Sequence, residues 1–160
     1  VSYPFLVNFE EDLIDYYKRS RGEGFGSEIK RRIMVGTFVL SAGYADAYYK
    51  QAQRARTLII QDFDRAFKEV DVMMAPTSPT PAFKVGEKAA NPLAMYLADA
   101  LTIPPSAAGI PGISIPCGFS SKGLPIGLQI MGPMWSESLI LQTAAAFEQV
   151  TDWGKMRPKI

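Results

Sequence analysis

The chain has 160 residues, 48% of them apolar, and its 17 basic and 16 acidic side chains leave a net charge of +1. That is long enough for a real core, too apolar for a disordered chain, and too balanced for a dedicated nucleic-acid binder. It has no histidine and one cysteine, Cys117, which removes Ser-His-Asp and Cys-His catalysis and every zinc site built on His or on several Cys.

A lone cysteine forms no internal disulfide, in keeping with a reducing cytoplasm. No apolar run approaches the ~18–20 residues a membrane span needs. The opening VSYPFLVNFEED lacks the basic-then-apolar order of a signal peptide. The first residue is Val, so a fragment or a processed chain is expected, and residues 1–11 receive no assignment.

In chain order, DLIDYYKRSRG at 12–22 reads as a short helix ended by Gly22, followed by a flexible GEGFG. Ser27 and Glu28 then look like an N-cap and an acidic first turn, opening a helix to about Leu40. Gly43 is the expected break. From about Tyr44 to Glu69 the apolar positions Tyr44, Tyr48, Ala52, Ala55, Ile59, Phe63 and Phe67 step by three and four, predicting a long helix with one buried stripe. Val70–Ala75 is a continuous apolar run and predicts a strand, ended by PTSPTP because proline lacks a backbone donor.

A helix over about Pro92–Leu101 follows, with Asn91 as cap and Pro92 at its first position. Two more apolar runs, Gly112–Cys117 and Leu124–Met131, are fenced by Pro and Gly. They predict strands of a sheet covered on both faces. The last helix spans Ser136 to about Gln149, with Leu139, Ile140, Thr143, Ala144 and Phe147 facing inward. Helices before and after short buried strands imply an α/β layered architecture.

Several groups offer chemistry. Ser120-Ser121-Lys122 pairs a nucleophile with a base on paper, but neighbours on an exposed turn do not converge on one reacting atom, so a solvated strand connection is the better reading. Thr77-Ser78 directly follows a strand expected to be of the parallel type, where α/β proteins build ligand sites, although loop hydroxyls also cap turns. Lys30-Arg31-Arg32 diverge by about 100° per residue around a helix, so at least one is expected to face the protein body. An inward Arg needs a carboxylate, from a neighbouring side chain or from a ligand, and the residues alone favour a structural salt bridge. Asp99 is the sole acid between Glu87 and Glu137. It is either exposed or paired to a cation. The basic residues Lys18, Arg19, Arg21, Lys50, Arg54 and Arg56 are interleaved with acids and read as solvated helix faces rather than phosphate contacts.

Four segments carry a resemblance: RRIMVGTFVLSAGYADAYYKQAQRARTLIIQDF, VDVMMAPTSPTPAF, NPLAMYLADALTIPPSAAGIPGISIPCGF and GLPIGLQIMGP. In this order, from about Asp12 onward, they are similar to the C-terminal part of the amidase signature family. Within it the likeness is to the A-subunit of glutamyl-tRNA(Gln) and aspartyl-tRNA(Asn) amidotransferases. TDWGKMRPKI resembles that subunit's end, with Gly154 where a histidine is more usual. The resemblance implies an α/β/α sandwich around a mixed β-sheet, of which residues 1–160 are one portion of a single amidase domain. It implies glutamine hydrolysis by a Ser–cis-Ser–Lys triad that would precede this chain, so no catalytic residue is assigned within it and the piece alone is expected to be inactive.

Of the site residues, the resemblance carries over two: Arg32 for the α-carboxylate of glutamine, and Asp99 for its α-amino group. It implies no metal or cofactor on this chain. Its expected partners are the B and C subunits of the amidotransferase: ATP with Mg would serve the B-subunit, which amidates Glu-tRNA(Gln), while the C-subunit holds the other two together. Two other readings stay open, a different amide hydrolase of the same family and a non-catalytic binding or remnant module.

Overall fold

The computed structural model describes residues 12–41, 43–88 and 91–156. The unassigned 1–11 and the terminal RPKI lie outside the described residues. Two compact units are present, Val1–Gln53 and Arg54–Ile160.

The first unit is helical. It holds α1 (Leu13–Gly24), α2 (Ser27–Leu40), a π-helical stretch at Ala45–Tyr49 and the first turn of α3 (Lys50–Ala66). The predicted helices are found, with corrections at their ends. Gly26, not Ser27, is the N-cap of α2, and no side chain caps that end. Gly43 has φ +88°, and the chain beyond it enters α3 through the wider π turn. Phe38, Tyr44 and Tyr48 form an aromatic group there, with ring centroids 4.3 Å apart for Phe38 and Tyr44 and 6.2 Å for Tyr44 and Tyr48. The predicted buried stripe holds only at its end. Ile59, Phe63 and Phe67 are half-buried, whereas Tyr44, Tyr48, Ala52 and Ala55 are exposed. Periodicity marks which face is apolar; it does not supply the layer that covers it.

The second unit contains the rest of α3, β1 (Met73–Pro76), α4 (Pro92–Leu97), α5 (Ile103–Ala108), β2 (Gly112–Phe119), β3 (Pro125–Met131), α6 (Glu137–Gln149) and a 3₁₀ turn at Trp153–Lys155. The strands lie in the order β1-β3-β2 and every pairing is antiparallel. This corrects the parallel-type strand expected before Thr77, and the sheet formed by the described residues is antiparallel rather than mixed. β1 also begins three residues later than predicted and includes Pro76. An edge strand tolerates that proline, because one side of it needs no ladder donor. In β2 the register shifts between Pro116 and Gly118, leaving Cys117 as a bulge.

The core lies on one face of this sheet. Ile115, Ile130, Ile140 and Ala144 are buried together, with Val72, Ile113, Leu128 and Phe147 packed against them. Ile130 is fully buried. Along α6 the covered positions are Leu139, Ile140, Thr143, Ala144 and Phe147, the inward face that the sequence predicts. The opposite face is covered over β3, where Gln129 and Met131 are buried, but open over β2, where Gly112, Ser114 and Pro116 are exposed, so the expected cover on both faces is found for β3 and not for β2.

β3 leads into α6 through a tight approach at Gly132, where a Cβ would press on Ser136 Oγ and stand 2.8 Å from Ile140 Cγ2. Overpacking of this kind costs about 1–3 kcal/mol. Gly132→Ala is therefore expected to lower the thermal unfolding midpoint of the full-length protein, and an unchanged midpoint would show that α6 can shift outward.

The segment before β2 differs from its prediction. Asn91 caps α4, its Oδ1 accepting from Ala94 N at 3.1 Å, but α4 stops at Leu97 and the chain turns until Thr102. α5 then forms over IPPSAA, which sequence reading leaves unstructured. Its prolines occupy the first turn, the one place in a helix where their missing donors cost nothing.

Candidate functional site

The sheet face away from α6 carries polar groups. Residues directly opposite one another across a sheet share a face, and Ala75, Gln129 and Ser114 are such partners. Thr77 extends β1 by one more bond, its N–H donating to Gly127 O at 2.9 Å. Thr77 Oγ1 and Ser114 Oγ then meet at 2.6 Å. They do so over Gly127, where a Cβ would stand 2.7 and 2.8 Å from the two oxygens. A side chain at Gly127 would break this hydroxyl pair, so the glycine is required by space. A cleft of about 290 Å³ opens beside it, lined by Thr77, Ser78, Ile126, Gly127 and the proline loop.

Gln129 is buried at the centre of this face. Its Nε2 donates to Leu101 O at 3.0 Å and to Met131 Sδ at 3.3 Å. Ser78 Oγ donates to Ala98 O at 3.3 Å. The turn between α4 and α5 is thus tied to the sheet at Ala98 and at Leu101. Asp99 lies between these ties and is exposed. Its backbone carbonyl accepts from Thr102 N at 3.1 Å, Ile103 N at 3.0 Å and Thr102 Oγ1 at 3.2 Å. Its carboxylate has no hydrogen bond or ion pair among the described residues. An exposed, uncommitted acid on a fastened turn is free to receive a cation.

Arg32 belongs to the other unit, where it is described by itself. It sits on α2 with its side chain 71% exposed, its Nε 2.9 Å from Glu28 Oε1 one helical turn earlier. Arg31 shares the same carboxylate through Glu28 Oε2, and Lys30 Nζ donates to Gly22 O. None of the three faces a core, because α2 has no buried residue; the expected inward Arg is not found, while the expected salt bridge is. The hydrogen bonds from Arg32 and then Arg31 hold the Glu28 carboxyl below the usual carboxylate range. The sign follows: these pairs are intact above the ordinary Glu value and are lost as pH falls through the lowered one. Being on the surface, they are screened by solvent and salt.

The remaining candidates resolve simply. Ser120 closes the β2–β3 turn, its Oγ accepting from Leu124 N at 3.1 Å, and Ser121 and Lys122 are exposed. The solvated-connection reading holds. Both hydroxyls of Thr77-Ser78 are engaged as described. Among the basic residues, Lys18 pairs with Asp15 at 2.9 Å, Lys50 pairs with Asp46, Arg21 lies over the Tyr17 ring, and Arg56 Nε donates to Ala107 O at 2.7 Å. Among the described residues no lysine amine is bonded to a hydroxyl, and no cluster of acids and Cys suits a metal. The exposed carboxylate of Asp99 is placed to receive a charged ligand group.

Sequence reading missed Ser114 and Gln129. Each is a lone polar residue in an otherwise apolar strand, in GISIPC and PIGLQIM, and that interruption was the available signal.

Comparison with known proteins agrees with this α/β arrangement. The chain is 59% identical over all 160 residues to the A-subunit of glutamyl-tRNA(Gln) amidotransferase from Synechococcus sp. (strain ATCC 27144), of which it covers 33%. It is 61% identical over 150 residues, 94% of the chain, to the protein of that name from Oceanobacillus iheyensis, covering 31% of it. The chain thus spans about a third of the length of the curated relatives it matches. Among solved structures, the A-subunit of glutamyl-tRNA(Gln) amidotransferase from Thermotoga maritima superposes with a TM-score of 0.64 at 40% identity, over 86% of this chain and 30% of that one. A 6-aminohexanoate cyclic dimer hydrolase complexed with substrate superposes with a TM-score of 0.70 at 25% identity, over 91% and 33%. The amidase family model matches residues 5–141, most of the chain, and with the shared fold this establishes that the chain belongs to the amidase family.

Proposed function

We propose that this chain is the glutamine-recognising portion of the A-subunit of a tRNA-dependent amidotransferase, and part of a single amidase domain. The observation that carries the reading is 59% identity, across its whole length, to a protein bearing that subunit's name. On this reading glutamine is hydrolysed by a Ser–cis-Ser–Lys triad outside these 160 residues. The released ammonia passes to the B-subunit, which uses ATP and Mg to amidate Glu-tRNA(Gln), and the C-subunit joins the two. The chain itself binds no cofactor or metal and has no activity alone. The complex works in the cytoplasm, in keeping with the absence, among the described residues, of a helix long and apolar enough to cross a membrane.

Recognition follows from charge. Glutamine is a zwitterion, and one cation and one anion on the protein select for it over neutral amides. Arg32 takes the α-carboxylate with a planar fork and Asp99 the α-ammonium. In the free protein Glu28 keeps the Arg32 guanidinium engaged. The likeness to a cyclic amide hydrolase favours, as a second reading, another amide substrate; an apolar or neutral amide would make no use of the charges on Arg32 and Asp99.

Arg32→Lys tests the assignment in the full-length protein within its complex. Lysine keeps the charge and loses the fork, so KM for glutamine is expected to rise about 10- to 100-fold, the worth of one charge-assisted hydrogen bond. Amidation driven by added ammonia should persist. Equal loss of both activities would indicate a folding defect and remove Arg32 from the site, and absence of glutaminase activity in the unaltered protein would favour the second reading.

A further inference from the structure

We propose that Gln129, with Ser78, is a positioning residue that holds Asp99 in place for the α-ammonium group of an amino-acid amide. The inference rests on the reading of Asp99 given above and adds how its carboxylate is kept in position.

The turn from Ala98 to Thr102 has no regular helix to stiffen it. Its internal bonds, from Asp99 N to Tyr96 O and from Thr102 and Ile103 N to Asp99 O, set its local shape but do not anchor it. Two side-chain bonds reach it, from the loop after β1 and from β3: Ser78 Oγ to Ala98 O, one residue before Asp99, and Gln129 Nε2 to Leu101 O, two residues after it. One comes from the loop after β1 and the other from the interior of β3, so the turn is held on both sides of the acid.

Gln129 is unusual in its setting. It is 7% exposed, lies in the central strand, and is followed by fully buried Ile130. A buried amide donor left without an acceptor is costly, so its bond to Leu101 O favours the turn in this closed position. The apolar core does not need that amide, since the core lies on the other face of β3. What the amide does is fix the height of the turn above the sheet. A charged ligand group is held well only when its partner sits within about 0.5 Å of the productive position.

The test uses the full-length protein in its complex, with glutamine and with glutaramate, the same amide lacking the α-amino group. Gln129→Met keeps the volume and removes the donor. It is expected to raise KM for glutamine about tenfold with little change in kcat, and to leave weak glutaramate turnover and ammonia-driven amidation as they were. Ser78→Ala should shift KM in the same direction, and Ser78→Thr, which retains the hydroxyl, should restore it. Asp99→Asn separates the two levels of the argument. If Asp99→Asn raises KM for glutamine and Gln129→Met does not, the positioning role is overturned while the reading of Asp99 stands. If Asp99→Asn changes nothing, both are overturned. A Gln129→Met variant that loses glutamine, glutaramate and ammonia-driven activity alike is structurally damaged and refutes a role specific to Asp99.

Discussion

Asp99→Ala in the full-length protein is expected to lower kcat/KM for glutamine by about 100-fold or more, the cost of leaving a desolvated charge without its partner. Amidation with added ammonia bypasses the lost contact and should be retained. The expectation rests on the exposed carboxylate, which no neighbour among the described residues engages, and on the turn that the sheet ties down at Ala98 and Leu101. Because the Asp99 side chain is exposed, its removal leaves no cavity, and the unfolding free energy should stay within about 0.5 kcal/mol of the parent. Glutamine use and stability are thus separated in one variant. A parallel fall in both would place Asp99 among the structural residues.

The second large effect has the opposite pattern. Ile130→Ala empties the best-buried position of the core, beneath Ile140 and Ala144 of α6. Removing an isoleucine side chain from such a site costs about 2–5 kcal/mol through lost transfer energy and the cavity left behind. Urea unfolding of the full-length protein should show the midpoint falling with little change in slope. Glutamine KM should be nearly unaffected at temperatures where the variant remains folded. A loss below about 1 kcal/mol would mean that α6 collapses onto the space.

The sequence located α2 and α6 closely, α2 through the start signal at Ser27 and Glu28 and α6 through an apolar pattern unbroken over three turns. For α6 the inward residues were also legible, since the layer that covers them, β2 and β3, is in the same unit. The start of α3 and the π turn before it show the limit: Tyr48 and Ala52 repeat correctly and remain exposed. Strand direction was not legible either. Apolar content marked Val70–Ala75 as strand, but antiparallel pairing with β3 depends on residues more than fifty positions away. α5 escaped notice because Pro104 and Pro105 read as punctuation when their position in a first turn is unknown. The proposed site draws on two kinds of signal. Arg32 and Asp99 stood out through family resemblance, while Gln129 is a single polar letter whose purpose depends on Leu101 lying above it.

The bulge at Cys117 has a consequence for how this protein tolerates changes of length. Gly112–Pro116 run in step with Gly127–Met131, and beyond Cys117 the two strands pair on a different phase up to the turn. A residue inserted or deleted between Cys117 and Leu124 meets a place where the ladder already carries one unmatched residue, and the disturbance stays at the hairpin tip. The same change within β3 exchanges its faces, carrying Gln129 toward α6 and Ile130 toward the turn that bears Asp99. Descendants of this sequence are therefore free to vary the length of the tip, whereas the residue count of β3 is fixed by two different obligations at once.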